Sequence, residues 1–254
     1  MSENRKFSVL MSVYVKENPV FLEEAVESIL NQTLKPSEVV LVEDGPLTPE
    51  LYQVLEKLEA QSSIPIKRCP LEKNRGLGLA LQYGVLQCQY DVIARMDTDD
   101  IAVRDRFEQQ FNLMEEENLD LLGGHIAEFI DRPDEIVSYR RVPIKHEDIV
   151  VYQRMRSAFN HMTVMFKKEM VLKAGNYEDG LYMEDDLLWL NMISAGARTG
   201  NVDQILCKVR VGAGMFERRG GLRYLKLYRQ ARQRMHARGQ ISYGEYLKSV
   251  LIQV

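Results

Sequence analysis

Cysteine, tryptophan and long apolar runs are scarce in this chain. The few cysteines and the short apolar runs each exclude a class of protein. The 254 residues include three cysteines and one tryptophan. Because Cys69, Cys88 and Cys207 lie far apart without a CxxC pair, we expect reduced, mostly buried thiols and neither a zinc site nor a disulfide framework. No stretch approaches the roughly 18 uninterrupted apolar residues that a membrane-spanning helix needs.

Signal-peptide and glycine-rich nucleotide signatures are missing as well. The first apolar run, in MSENRKFSVLMSVYV, is short and leads directly into acidic, patterned sequence, which is unlike a signal peptide. We therefore expect a cytoplasmic protein. Neither GxGxxG nor a Walker A lysine motif occurs, which excludes a Rossmann dinucleotide site and a P-loop.

The first half of the chain alternates apolar strand patterns with amphipathic helix patterns. Strands are predicted at residues 7–15, 38–42, about 64–68, 91–96 and in LDLLGG. Helices are predicted after Asn18-Pro19 and Thr48-Pro49, at about 77–88 and 104–117, and at 187–193. Repeated units of this kind predict an α/β fold, with a doubly wound, mainly parallel sheet flanked by helices. We predict one domain over residues 1–215 and a C-terminal helical extension over residues 216–254.

Three carboxylates crowd at the end of the predicted strand DVIARM. They are Asp97, Asp99 and Asp100. Like charges this close raise one another's pKa unless a cation intervenes, and a hard divalent ion such as Mg²⁺ or Mn²⁺ suits oxygen ligands. The alternative is a solvated acidic turn that caps the next helix. An EF-hand calcium loop is excluded because Ala102 stands where glycine is required and a strand precedes the motif.

Three further polar segments follow predicted strands or open predicted helices. Asp44, in Glu43-Asp44-Gly45, either accepts a hydrogen bond from a ligand N–H or belongs to an ordinary turn. Asn74-Arg75-Gly76 opens a helix, where backbone amides and the Arg75 charge suit an anion. Glu184-Asp185-Asp186 either caps a helix or supplies a general base whose pKa its neighbours raise.

The order of these motifs carries a family resemblance. SVY, EDG, NRGLGLA, MDTDD, NHMTVMF and MEDDLLW follow one another over roughly residues 7–215. This series resembles the inverting family 2 glycosyltransferases with a GT-A fold, in particular bacterial enzymes that build capsule, exopolysaccharide or O-antigen. Two positions depart from the family pattern: Leu187 replaces the later acid of EDYDLW, and Glu43 stands where many relatives have aspartate.

The resemblance implies a role for each matching residue. Donor-site roles fall on Ser12 and Tyr14 (nucleoside), Asp44 (uracil N3), Arg75 (diphosphate), Asp97 (first acid of DxD) and Glu184. Asp99 and Asp100 are expected to lie closest to the metal, and Asp185 to be the catalytic base. His161 either contacts the acceptor or a phosphate or is structural, and Arg210 and Arg218-Arg219 either close over the diphosphate or are simply exposed.

The implied activity is transfer of a hexose (glucose, galactose or an N-acetyl form) from a UDP-sugar, with Mn²⁺ or Mg²⁺ as cofactor. The expected acceptor is a saccharide or an undecaprenyl-diphosphate-linked saccharide in surface polysaccharide synthesis. Two alternatives stay open. One is a nucleotidyltransferase that acts on sugar phosphates, and the other is a non-catalytic protein that binds nucleotide sugars.

The C-terminal segment is basic, whereas the rest of the chain is acidic. Residues 215–254 hold nine Lys/Arg against Glu217 and Glu245, a net charge of +7, while the other residues carry −11. LRYLKLYRQARQRM, at residues 222–235, is typical of a basic amphipathic helix on an anionic membrane surface. We expect peripheral membrane contact here, the alternative being a helix packed on the domain. Nucleic-acid binding is not expected, since the body is acidic and no recognition motif occurs.

Overall fold

A computed structural model describes residues 5–179, 183–212 and 221–253. Its strands are β1 Phe7–Val13, β2 Glu38–Glu43, β3 Ile66–Pro70, β4 Val92–Arg95, β5 Ile101–Ala102, β6 Leu121–Phe129, β7 Ile136–Arg140, β8 Met165–Lys167 and β9 Thr199–Arg210. Its helices are α1 Pro19–Leu30, α2 Pro49–Gln61, α3 Leu77–Gln87, α4 Arg106–Glu116, α5 His146–Gln153, α6 Lys168–Lys173, α7 Glu184–Ser194, α8 Gly221–Ala237 and α9 Tyr243–Gln253. A 3₁₀ turn lies at His161–Thr163.

The first two helices begin where capping chemistry predicts. The Asn18 side chain accepts a hydrogen bond from the Val20 amide at 2.9 Å, and the Thr48 hydroxyl accepts one from the Leu51 amide at 3.3 Å. Each cap is followed by a proline in the first turn, where the missing N–H costs no intrahelical bond. These local signals fix the helix starts independently of the packing.

The strands form one sheet with the order β3-β2-β1-β4-β8-β6-β9-β5, and β7 pairs with β6. Strands β3, β2, β1 and β4 run parallel, as predicted from the βα repeats. Beyond β4 the sheet is mixed, since β8 runs antiparallel to both of its neighbours, while β6 and β9 are parallel. The predicted α/β class is therefore confirmed, and its parallel part is the N-terminal half.

The twelve-residue strand β9 and the full length of β6 have no counterpart in the predictions. The sequence of β9, TGNVDQILCKVR, mixes polar and apolar residues without strict alternation. Its pairing with β6 shifts register between Gly124 and His125 and again before Ile126. Such irregularities break the period of two on which strand prediction depends.

Two apolar clusters cover the two faces of the sheet. Side chains alternate along β1, so that Val9 and Met11 join the cluster of α1, α2 and α4, whereas Leu10 joins the cluster of α3 and α7. The three cysteines are free and buried, as expected. Trp189, on α7, is fully buried in the second cluster and anchors this helix to the sheet.

The C-terminal helices pack on the rest of the protein. Leu187 and Leu190 of α7 cluster with Met235 of α8 and with Ile241, which precedes α9. The predicted domain boundary at 215/216 and Arg218-Arg219 lie outside the described residues. Across the described ranges, no helix combines the length and the apolarity that crossing a membrane requires.

The close approach of α3 to the sheet generates a test of the packing. A Cβ atom added at Gly84 would lie 2.4 Å from Leu10 Cδ1 and 2.9 Å from a Val42 methyl carbon, whereas at Gly244 of α9 it would meet no atom closer than 4.0 Å. We expect Gly84→Val to lower the free energy of unfolding by about 1–3 kcal/mol or more. Chemical denaturation measures this free energy, with Gly244→Val as the matched control. An equal loss of unfolding free energy in both variants would contradict the close packing of α3 at Gly84.

Candidate active site

The carboxyl ends of three neighbouring parallel strands bring the N-terminal motifs together. Strand β1 lies between β2 and β4, so the end of β1 with Ser12 is flanked by Asp44 on one side and Asp97 on the other. The Thr98 hydroxyl donates to the Ser12 carbonyl at 3.3 Å, which ties the acidic turn to β1. Tyr14 directly follows β1 at this edge of the sheet and is partly buried. This edge is where parallel α/β sheets bind ligands.

Asp44 organises the loop before α3. Its carboxylate accepts hydrogen bonds from the Arg75 amide at 2.7 Å and from the Gly76 amide at 3.0 Å. Gly45 has φ +88°, and a Cβ there would lie 2.6 Å from the Asn74 nitrogen, so only glycine lets the two loops approach this closely. The predicted donor residues Asp44 and Arg75 are thus adjacent, and each Asp44 oxygen keeps a second lone pair.

The three acids of MDTDD converge. One oxygen from each of Asp97, Asp99 and Asp100 lies within 4.8 Å of the others, a spacing that a metal ion could bridge. Burial raises the pKa of Asp100 well above its usual range, and the charges of Asp99 and Asp97 raise it further. A divalent cation would relieve this repulsion, so these residues fit the predicted metal.

Arg95 supplies a buried positive charge beneath these acids. Its side chain is 2% exposed and pairs with Asp97 through Nη2, while Nε and Nη1 have no partner. Sequence reasoning missed Arg95, although a charged residue inside the apolar strand DVIARM was the available signal. An arginine is almost never buried unless it is paired, and its pairing with Asp97 accounts for its place here.

Arg210 closes the opposite side of the acidic cluster. Its backbone amide donates to Asp100 at 2.9 Å, and its Nη2 donates to Glu24 at 2.7 Å. The guanidinium also stacks 3.7 Å from the centre of the Phe21 ring. The structure therefore places Arg210 at the end of β9 beside the acids, where its role in the site stays a prediction.

The three acids at the start of α7 have different surroundings. Asp186 is buried and accepts a 2.7 Å hydrogen bond from Gln153 of α5, so it holds the helix in place. Asp185 is partly buried, and desolvation, followed by the charges of Asp186 and Glu184, raises its pKa to about 7. Burial also raises the pKa of Glu184. A carboxyl group with a pKa near neutrality is suited to general base catalysis.

Arg140 of β7 also lies within electrostatic range of Asp185. Its positive charge opposes the rise in the Asp185 pKa. Its Nη2 donates to the Ser157 carbonyl at 3.1 Å, which joins β7 to the segment after α5. No motif in the sequence indicated Arg140, because its proximity to α7 depends on β6–β7 pairing.

His161 contacts Tyr177 and the buried Trp189 of α7. Its Nε2 is 2.9 Å from the Tyr177 hydroxyl, and its ring meets that of Trp189 edge-on with centroids 5.8 Å apart. Burial lowers the pKa of His161 well below its usual value, and the charge of Arg95 adds to this effect. The ring is therefore neutral at pH 7, which suits hydrogen bonding rather than a charge contact.

Comparison with known proteins identifies the class to which this fold and site belong. The sequence model of "Glycosyl transferase family 2" matches residues 8–173. This match spans more than half of the chain, and the chain belongs to glycosyl transferase family 2. The resemblance inferred from the order of the motifs is confirmed.

Two relatives whose names state a role are similar to this chain over most of its length. The amylovoran biosynthesis glycosyltransferase AmsE of Erwinia amylovora is 43% identical over 221 residues, which are 87% of this chain and 82% of that protein. The UDP-Gal:alpha-D-GlcNAc-diphosphoundecaprenol beta-1,3-galactosyltransferase of Escherichia coli is 35% identical over 250 residues, 98% of this chain and 90% of that protein.

Solved structures show the same fold at low identity. The S. aureus protein TarS, residues 1–349, crystallised with UDP-GlcNAc, superposes with a TM-score of 0.69 and 17% identity, covering 89% of this chain and 65% of that chain. The present chain thus spans less than two thirds of that structure. The similarity confirms the GT-A fold.

The raised pKa of Asp185 generates a stability prediction. Because the folded-state pKa of about 7 exceeds the usual 3.8, the ionised carboxyl destabilises the folded protein above pH 7, and this penalty is relieved as the pH falls through 7 towards 4. We expect Asp185→Asn to be more stable than the wild type at pH 8, by a margin that shrinks at pH 5. Denaturation at both pH values measures it.

The matched control for this test is Asp148→Asn, an exposed acid of α5. It should change stability little at either pH. A loss of stability for Asp185→Asn at pH 8 would show that the surroundings stabilise the Asp185 carboxylate. This result would contradict a raised pKa of Asp185.

Proposed function

We propose that this protein transfers a hexose from a UDP-sugar to a lipid-linked saccharide diphosphate, with inversion at the anomeric carbon. The observation that carries the proposal is the pairing of two groups in one site: the acidic cluster of MDTDD and, near it, Asp185 with a pKa of about 7. The donor and acceptor classes are supported by the E. coli relative, whose name states a UDP-galactose donor and a diphosphoundecaprenol acceptor. Galactose is therefore the first sugar to test.

The donor nucleotide is assigned to the edge formed by β1, β2 and the loop before α3. Ser12 and Tyr14 would contact the nucleoside, and the free lone pairs of Asp44 would accept from uracil N3. The amides that open α3, together with Arg75, would face the diphosphate, because a helix N-terminus attracts anions. Asp97 and Glu184 would approach the ribose and the sugar, and His161 the transferred sugar or the acceptor.

Metal dependence belongs to the same proposal. Asp99 and Asp100 would hold Mn²⁺ or Mg²⁺, since three carboxylates with oxygens within 4.8 Å suit a hard divalent ion. When bound, such an ion would neutralise negative charge on the leaving diphosphate. Arg95 would orient the Asp97 carboxylate towards the donor through their ion pair.

Asp185 performs the proton transfer in this mechanism. Its carboxylate takes the proton of an acceptor hydroxyl, and the oxygen bonds to the anomeric carbon from the face opposite the diphosphate. The bond from that carbon to the phosphate oxygen breaks as the new bond forms, and UDP leaves with the electron pair. Burial, together with the charges of Asp186 and Glu184, keeps the pKa of Asp185 high enough to accept the proton near neutral pH.

Peripheral contact with the inner face of the cytoplasmic membrane would bring the enzyme to a lipid acceptor. Support comes from large apolar side chains that are exposed on the C-terminal helices, among them Leu222 (86% exposed) and Leu251 (74%). Tyr243 and Leu247 share the α9 surface with Leu251 at a spacing of four residues. These side chains, rather than the arginines of α8, are the candidates for lipid contact.

Nucleotide binding provides the first test. Thermal unfolding is measured with UDP, GDP, CDP and TDP, each with and without Mn²⁺. UDP with Mn²⁺ at about 100 times its dissociation constant should add roughly 2.7 kcal/mol, which is on the order of 5–10 °C for a chain of this size. A shift with GDP alone would overturn the uridine assignment, and a shift of equal size without Mn²⁺ would overturn the metal assignment.

Turnover separates the enzyme from the two alternatives. UDP release is followed with UDP-galactose, UDP-glucose and their N-acetyl forms, using GlcNAc diphosphate on a short lipid as acceptor. The wild type should form a glycosylated lipid, and Asp185→Asn should lose nearly all of this turnover while it still binds UDP. A nucleotidyltransferase would instead consume a sugar phosphate with UTP, and a non-catalytic binding protein would show the UDP shift without product.

The pH dependence of turnover tests the base more directly. Because Asp185 must be ionised, kcat should rise with pH through about 7 and then level off. Arg140→Gln removes a positive charge that favours the ionised form, so the rise should move to higher pH. Arg141→Gln, at the exposed neighbouring position, is the control and should leave the profile unchanged. A profile that Arg140→Gln does not move would contradict the assignment.

A further inference from the structure

Helix α8 covers the helix that carries the proposed base. Met183, immediately before α7, clusters with Tyr228 and Ala231 of α8. One turn further on, Leu187 and Leu190 of α7 pack against Met235 of α8. These apolar side chains of α8 are therefore used against the start of α7, whereas Leu222 at the beginning of α8 is exposed.

The basic side of α8 is also largely engaged with the protein. Arg232 is 1% exposed, and its guanidinium donates to the carbonyls of Met155 at 2.7 Å and Arg154 at 3.2 Å. Arg234 donates to the Asp179 carbonyl at 2.8 Å. Arg232 and Arg234 of α8, the helix that composition assigns to a membrane surface, thus both have carbonyl partners elsewhere in the chain. A third engaged arginine, Arg238, lies directly after α8.

Arg238 makes a two-pronged ion pair with Glu178. Its Nη1 and Nη2 donate to the two carboxylate oxygens at 2.5 and 2.9 Å. The hydrogen bonds from Arg238 lower the pKa of Glu178, so the pair is charged at neutral pH. Bidentate pairs of this geometry fix orientation as well as distance.

Glu178 occupies a position from which it can affect the site. A Cβ added at Gly78 of α3 would lie 2.4 Å from the Glu178 carbonyl oxygen and 3.0 Å from Glu184 Cβ. The preceding residue, Tyr177, holds His161 through its hydroxyl. Residues 177–179 therefore lie between α8 on one side and, on the other, the start of α3 and the acids of α7.

We infer that Arg234 of α8 and Arg238, directly after α8, are positioning residues for the transfer reaction. They hold residues 178 and 179 against α3 and thereby set the position of Glu184 and Asp185 relative to the donor site. The inference rests on the proposed role of Asp185 as the base. The C-terminal helices are then part of the catalytic unit, in addition to any lipid contact that their exposed apolar side chains make.

The test is a charge reversal across the ion pair. Arg238→Gln and Glu178→Gln should each lower kcat by about three- to tenfold. The UDP- and Mn²⁺-dependent thermal shift should change little, because most contacts assigned to UDP lie on β1, β2 and the loop before α3 and not on residues 178–185. The reversed pair, Glu178→Arg with Arg238→Glu, should recover most of kcat, and Arg238→Lys should recover part of it. A purely structural role would lower the unfolding temperature without this separation of kcat from donor binding.

The matched control is Arg229→Gln on α8. The Arg229 side chain donates to the Tyr246 hydroxyl of α9 instead of to residues 178 and 179. This variant should leave kcat unchanged. Co-sedimentation with phosphatidylglycerol vesicles tests the membrane alternative: if Arg238→Gln loses vesicle binding but keeps full kcat on a short-chain acceptor, the inference is overturned. If Asp185→Asn keeps its turnover, both the proposed function and this inference are overturned. If Asp185→Asn loses turnover while Arg238→Gln keeps full kcat, only this inference is overturned.

Discussion

The arrangement of this protein depends on holding five carboxyl groups near one edge of a sheet. Asp97, Asp99 and Asp100 follow β4, and Glu184 and Asp185 open α7. Their mutual repulsion is balanced in part by the buried positive charge of Arg95, which pairs with Asp97 and favours the ionised form of Glu184. Burial raises the pKa of Asp100 and of Asp185, and the charges of neighbouring carboxylates raise both further. In the proposed function, the same electrostatic arrangement would favour a bound cation and a base that works near neutral pH.

The two halves of the sheet contribute different groups to this edge. The parallel strands β3, β2, β1 and β4 end in the loops assigned to the nucleotide, where Asp44 fixes the loop before α3 through two amide hydrogen bonds. The mixed half, with β6, β7 and β9, brings Arg140 and Arg210 towards the acids from the other side. In the proposed reaction, donor and acceptor would meet between the two halves.

The basic C-terminal segment illustrates how composition and contacts differ in what they reveal. Its net charge of +7 favours an anionic surface, yet Arg232, Arg234 and Arg238 use their guanidinium groups on carbonyls and on Glu178 of the same chain. Arginine is suited to this use because its planar fork can satisfy two acceptors at once. A cluster of basic residues is therefore also a means of fastening one helix to loops that expose carbonyl groups.

The sequence by itself determined the local features: the starts of α1 and α2, the four parallel strands, the family, and the acidic motifs at strand and helix ends. These follow from capping, periodicity and the order of motifs, which act over a few residues. Only the tertiary structure decided the mixed half of the sheet, the burial of Arg95 beneath Asp97, and the approach of Arg140 and Arg238 to the acids or their neighbours. Those contacts join residues far apart in the chain, and β9, with its register shifts, carries no period that sequence patterns can detect. Long-range pairing sets burial, and burial sets the pKa values on which the chemistry depends.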